Sequence, residues 1–242
     1  MICVYADLDA LSRAAAELFA SQALKAVKER GRFVVLLAGG ETPRHTYELL
    51  AEEPFRGLVP WEEVHVFWGD ERCVSAGDPR SNARMARLAL LDRVPIPPEQ
   101  IHPVAGARPP RQAAEEYEAL LRAFFATAPP RFDLIFLGLG DDGHTASLFP
   151  GSAALEERER WTAVTQRPGD AIHRVTLTAP LINQAALVAF LVAGGGKAAV
   201  LSELLETPPG PDLLPARLIR PVKGELLWFV DREAASLLVQ AR

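Results

Sequence analysis

The feature that most constrains this chain is an end-to-end alternation of short apolar runs with longer amphipathic stretches. Residues 33–38 (FVVLLA) form an unbroken apolar run, as expected of a strand covered on both faces in a parallel sheet. Val64–Trp68, residues 132–137 and Leu187–Val192 read similarly, and Ile2–Tyr5, 161–164, 175–177 and 226–230 are shorter strand candidates. Residues 101–104 add a short extended piece. Helical patterns fill the intervals: 8–30 (closed by Gly31), 43–53, 81–91, 112–125, 179–184, 196–205 and 232–240. Parallel strands need crossover connections, and helices supply them. The chain is therefore expected to be an α/β fold, a doubly wound and mainly parallel sheet with helices on both faces. No linker interrupts the pattern, and the Pro/Gly cluster at 207–215 reads as a surface loop. Residues 1–242 are expected to form one domain.

Composition narrows the function classes. The formal net charge is −5, without a basic block, which argues against a nucleic-acid or membrane-surface partner. No apolar run approaches the roughly 18 residues of a membrane span, and the first residues read as a strand, not a leader. Two cysteines, Cys3 and Cys73, suit free thiols in a reducing, cytoplasmic setting. Only four of the 26 basic residues are lysines, Lys25, Lys28, Lys197 and Lys223, so each one is notable.

In doubly wound folds ligands bind beyond the carboxyl ends of the strands, which singles out four loops. The first, Gly39-Gly40-Glu41-Thr42-Pro43-Arg44, pairs two glycines with Thr42 as a helix N-cap and Pro43 as the first helical residue. Free N–H groups at such a start attract phosphate, although capping alone explains most of these residues. The second, Gly69-Asp70-Glu71-Arg72, places three charges directly after a strand. Asp70 suits a carboxylate base or orienter and Arg72 a phosphate fork; the plain alternative is a solvated turn.

The third loop, Gly138 to Gly151, satisfies G-x-G-x-x-G after a strand, which is the dinucleotide fingerprint. Asp141 and Asp142 would repel a pyrophosphate there, Pro150 and Gly151 leave little room for the required helix, and no acidic strand end follows at the right distance. A different reading takes Asp142 and His144 as a pair, the carboxylate fixing the imidazole tautomer while the ring moves a proton to or from water. Such general-base assistance contributes typically about 10²–10⁴-fold. A loop histidine held by structural hydrogen bonds is the plain alternative. Metal binding by Asp70, Asp141, Asp142 and His144 lacks a recognisable ligand spacing. The fourth loop, Gly194-Gly195-Gly196-Lys197-Ala198, departs from a P-loop because Leu191 stands at the first glycine position and Ala198 at the Ser/Thr position. Lys197 remains a phosphate clamp candidate, with Arg174 on the strand 173–178 as a partner.

Together these segments resemble the 6-phosphogluconolactonase family, a branch of the glucosamine-6-phosphate isomerase/deaminase superfamily. The marks are A-G-G-E-T-P-R, F-W-G-D-E-R-C-V, S-N-A-R-M-A-R, L-G-L-G-D-D-G-H-T-A-S-L-F-P-G-S, R-V-T-L-T-A-P-L-I-N and G-G-G-K-A, in order along most of the chain. The resemblance implies a Rossmann-like sheet and cofactor-free, metal-independent hydrolysis of a small phosphorylated sugar lactone, 6-phospho-D-glucono-1,5-lactone, in the oxidative pentose phosphate pathway. It makes His144 the general base, with Asp142 orienting it and Asp70 near the sugar. Gly39, Gly40, Thr42, Arg72, Arg174 and Lys197 would hold the phosphate, and a monomer or small homo-oligomer is expected. Glu41 departs from the family's small hydroxyl residue and is expected to point away. Leu148 and Phe149 stand where the deaminases carry an Asn-Glu pair, which favours the lactonase branch. An aminosugar-phosphate deaminase or isomerase is the nearest rival, and a non-catalytic sugar-phosphate sensor a third reading.

Overall fold

The apolar runs become one six-stranded sheet, all of whose neighbouring pairs are parallel. The computed structural model describes residues 1–126, 129–208 and 214–239. In chain order the elements are β1 (Ile2–Tyr5), α1 (Leu8–Arg30), β2 (Phe33–Leu37), α2 (Glu41–Leu50), α3 (Phe55–Leu58), β3 (Val64–Trp68), β4 (Asp70–Arg72), α4 (Asn82–Ala86) and α5 (Pro110–Phe124). There follow β5 (Leu134–Leu137), β6 (Thr162–Gln166), β7 (His173–Leu177), α6 (Ala179–Ile182), β8 (Leu187–Val192), α7 (Ala198–Glu206) and β9 (Glu225–Asp231). The parallel sheet runs β1-β9-β8-β5-β2-β3.

Side chains that alternate along a strand go to opposite faces, and here both faces are dry. Val34, Leu36, Ile135, Leu137, Val188 and Phe190 join one core cluster with residues of α5 and α7. Phe33, Val35, Leu37, Leu134, Phe136 and Ala189 join the other with residues of α1 and α2. That double burial is the physical cause of the uninterrupted apolar runs. Helix α1 begins at Asp7, whose carboxylate accepts from the Ala10 N–H at 2.8 Å, and ends at Gly31 in the left-handed region (φ 72°).

Several local expectations are corrected. The candidates at 161–164 and 175–177 are strands, but they leave the parallel sheet and build a three-stranded antiparallel sheet, β4-β7-β6. The charged segment after β3 is thus a strand, not a free loop. Residues 101–104 make only one parallel bridge, Ile101 to Val66. The 81–91 helix is α4 followed by a wider π-type turn over Arg87–Leu91. Thr42 is not an N-cap: α2 starts two residues earlier, behind Gly40, whose φ of 107° only glycine adopts readily. The 232–240 helix is a run of turns through residue 237. At its start the Asp231 carboxylate accepts the Ala234 N–H at 2.7 Å and the Gly194 N–H at 2.9 Å. Residue 240, and residues 209–213 of the expected 207–215 loop, lie outside the described residues. No helix among the described residues is long and apolar enough to cross a membrane.

Candidate active site

A cleft of about 340 Å³ opens at the carboxyl ends of β2, β3, β5 and β8. Gly39, Gly40, Thr42, Asp70, Arg72, His144, Arg174 and Lys197 all line it. Asp142 does not reach the cleft wall; it stands behind His144. All four loops singled out in the sequence therefore converge, although they lie up to 158 positions apart, from Gly39 to Lys197.

The His144 ring is fixed on three sides. Its Nδ1 is hydrogen-bonded to Asp142 Oδ1, and the same oxygen accepts the His144 backbone N–H at 3.1 Å. Burial would raise the Asp142 carboxyl, but the bonds from the His144 ring and backbone outweigh it and hold the carboxyl below its ordinary range. Asp142 is thus ionised at neutral pH and can only accept, so in the neutral form of the ring Nδ1 carries the proton and Nε2 the lone pair. Phe149, fully buried, packs its ring at 4.7 Å from the imidazole centroid. On the remaining side lies Gly140, where a Cβ would collide with the imidazole and with the Asp142 carboxylate. The second glycine of the G-x-G-x-x-G pattern is therefore required by the imidazole, not by a pyrophosphate. Turns and bends, not a helix, occupy residues 141–151, which removes the dinucleotide reading.

The opposite wall comes from the antiparallel sheet. Arg72 on β4 and Arg174 on β7 are register partners. Like charges placed directly across a sheet repel, yet here both side chains are retained, and Arg174 is only 8% exposed. Each leaves a buried Nε without a partner. Arg72 Nη1 donates to the Arg80 carbonyl at 2.6 Å, and Arg174 Nη2 to Asp170 at 3.1 Å, with its guanidinium 5.2 Å above the Phe149 ring. Two guanidiniums with unspent donors make a place for a doubly charged anion. The α2 start adds the Glu41 and Thr42 N–H groups, which have no partner inside the helix. Glu41 itself turns its carboxylate to solvent and to Arg44, 3.3 Å away. Lys197 ends the 3-10 turn before α7, and its ammonium pairs with Asp141 across the cleft mouth.

Asp70 is a buried acceptor with both oxygens engaged, Oδ1 by Asn82 Nδ2 at 3.1 Å and Oδ2 by the Ser147 hydroxyl. The sequence reading missed Asn82 and Glu71. Asn82 lines the cleft and also donates to the Asp70 carbonyl at 2.9 Å. Glu71, 2% exposed, receives the Arg72, Asn82 and Ala83 N–H groups and the Ser81 hydroxyl. Burial pushes its carboxyl up against those donors. The run S-N-A at the start of α4, ten residues after D-E-R, is the only sequence signal for this clamp.

Fold and cleft together define an α/β protein with a guanidinium-lined wall and a carboxylate-held imidazole in one cleft. Comparison makes the class specific. The family model described as glucosamine-6-phosphate isomerases/6-phosphogluconolactonase matches residues 6–228. A 6-phosphogluconolactonase of Synechocystis sp. is 50% identical over 218 residues, covering 88% of each chain. One of Nostoc sp. is 44% identical over 240 residues, covering 97% of each. The solved 6-phosphogluconolactonase of Trypanosoma cruzi superposes with a TM-score of 0.88 at 32% identity, covering 98% of this chain and 96% of that one. The chain belongs to the glucosamine-6-phosphate isomerase/6-phosphogluconolactonase family.

Proposed function

We propose that the chain hydrolyses 6-phospho-D-glucono-1,5-lactone to 6-phospho-D-gluconate, the lactone-opening step of the oxidative pentose phosphate pathway. The observation that carries this reading is the Asp142–His144 pair, braced on Phe149 and facing the paired guanidiniums of Arg72 and Arg174 across one cleft. A phosphate monoester holds nearly two negative charges. Arg72, Arg174, Lys197 and the amides around Gly39, Gly40 and Thr42 bind it, and that remote binding positions the lactone carbonyl near His144. Nε2 of His144 takes a proton from water as the water oxygen bonds to C1. Asp142 stabilises the imidazolium that forms. The tetrahedral intermediate collapses by breaking the C1–O5 bond, and the imidazolium returns its proton to the departing ring oxygen. Asp70, rigidly held by Asn82 and Ser147, accepts from a sugar hydroxyl with its remaining lone pairs.

Phe149 favours this branch over aminosugar-phosphate deamination, since a buried phenyl cannot relay the proton that ring opening needs. Free Cys3 and Cys73 suit a cytoplasmic enzyme, acting as a monomer or small homo-oligomer. The test is a lactonase assay on freshly generated substrate with the spontaneous rate subtracted. His144→Ala should lower kcat at least about a hundredfold, and Lys197→Ala should mainly raise KM. Near-full activity in His144→Ala would remove the histidine from its role. Ammonia release from glucosamine 6-phosphate without lactone hydrolysis would establish the deaminase instead.

A further inference from the structure

A second cavity lies at the other end of the sheet. It encloses about 550 Å³, within the range of small-molecule sites. Its walls come from the residues that lead into β2, β5, β8 and β9, so it opens at the strands' amino ends. Five residue-to-residue steps of extended chain, from Asp133 to Gly138, separate it from the catalytic cleft, a distance of roughly 17 Å.

Four cations surround this cavity, Arg30, Arg32, Arg131 and Lys223, in a chain whose net charge is −5. Only Arg30 has carboxylate partners, Glu29 at 2.7 Å and Asp133 at 2.8 Å. Asp133 is spent besides on the Val34 N–H at 2.9 Å. Arg32 rests its guanidinium 4.9 Å over the Phe124 ring, and neither Arg131 nor Lys223 makes an ion pair among the described residues. Arg32, Arg131 and Lys223 thus share a concave surface whose lining carboxylate, Asp133, is already taken up by Arg30 and the Val34 N–H. The floor between them is apolar, with Val34 and Phe125 buried and Val222 exposed at its edge. Uncompensated charge above an apolar floor is chemistry suited to an amphipathic anion: a phosphate for the cations and a flat body for Phe125 and the neighbouring prolines.

We propose that this amino-end cavity is a second ligand site, separate from the catalytic cleft, which binds a small organic phosphate ester carrying an aromatic or otherwise flat apolar group. Two charges on the phosphate answer three unpaired cations, and the ring covers apolar surface that water now contacts.

Adenosine 5′-monophosphate is the probe, titrated calorimetrically into the full chain. One molecule should bind per chain. Binding should weaken at least roughly tenfold in Arg131→Glu/Lys223→Glu. Both side chains are exposed, so that variant should melt at the wild-type temperature and keep lactonase activity. Arg174→Ala, in the catalytic cleft, should leave the affinity within about twofold. Adenosine and inorganic pyrophosphate should each bind at least roughly tenfold more weakly than the monophosphate, because each lacks one half of the recognition. The proposal is overturned by absence of binding at millimolar probe, by binding that survives the double variant, or by loss in Arg174→Ala. Pyrophosphate binding as tightly as the nucleotide would likewise overturn the organic-ester assignment.

Discussion

Both ends of the parallel sheet gather cations and histidines, yet they partner their histidines differently. At the carboxyl end three charged pairs form: Asp142 with His144, Asp170 with Arg174 and Asp141 with Lys197. At the amino end, beside Arg32, His65 faces another imidazole, that of His102, at 3.2 Å. Burial pushes His102 down to about 4, with His65 adding to the shift, and lowers His65 too, with Arg32 contributing. The rings of Phe67 and Phe124 pack on this pair much as Phe149 packs on His144. An aromatic brace is common to both. What differs is the partner: a carboxylate, Asp142, holds Nδ1 of His144, whereas His65 meets another imidazole. The strand direction contributes as well, because the carboxyl ends feed glycine turns and helix starts with unspent N–H groups.

Removing the carboxylate is the most damaging way to erase that contrast. Asp142→Asn keeps the shape but offers an amide that can donate to Nδ1 and favour the wrong tautomer. The expected loss in kcat is about a hundredfold with KM little changed, measured in the lactonase assay. Wild-type kcat in that variant would make Asp142 a bystander. Next comes the scaffold of the anion wall. A Cβ at Gly39 would overlap the Asn82 amide, which is buried and bonded to Asp70, so Gly39→Ala must break those bonds. A stability loss of about 1–3 kcal/mol should appear in urea unfolding, together with a raised KM.

The amino-end histidines predict a stability effect of the opposite electrostatic origin. A histidine whose folded value is depressed takes up its proton more readily when unfolded. Stability should therefore be intact above about pH 6.5 and fall as the pH drops toward 4. Because His102 is only half-buried, the loss should be of order 1 kcal/mol. His102→Phe should flatten that part of the pH–stability curve, and an unchanged slope would assign it to other groups. The smallest effect is expected at the cleft mouth. Asp141 now occupies the ammonium of Lys197, so on the proposed reading an arriving phosphate displaces it. Asp141→Asn should lower KM about two- to fivefold without changing kcat, the size of an exposed ion pair; a raised KM would show that Asp141 helps to seat the substrate.

Much of this molecule is written in local pattern. Continuous apolar runs such as Phe33–Leu37 and Leu187–Val192 mark strands dry on both faces, because a two-sided core removes the usual alternation. The marks around Asp70, His144 and Lys197 also located the strand-end loops that converge. Other features depended on long-range pairing. β4, β6 and β7 are short, and only their mutual hydrogen bonds separate them from the parallel sheet. That pairing sets Arg72 opposite Arg174, although 102 positions part them in the chain. Asn82 carries no catalytic signature until Glu71 pins the start of α4 beside Asp70. By itself, then, the sequence determined the α/β class, the strand-end loops and the Asp142–His144 pair, because periodicity and near-neighbour geometry are local properties. Tertiary structure alone decided how the guanidiniums face one another, which glycines are sterically required and where unpaired cations collect at the far end of the sheet. Those depend on which distant segments share a hydrogen bond or a cavity, and no local pattern encodes that.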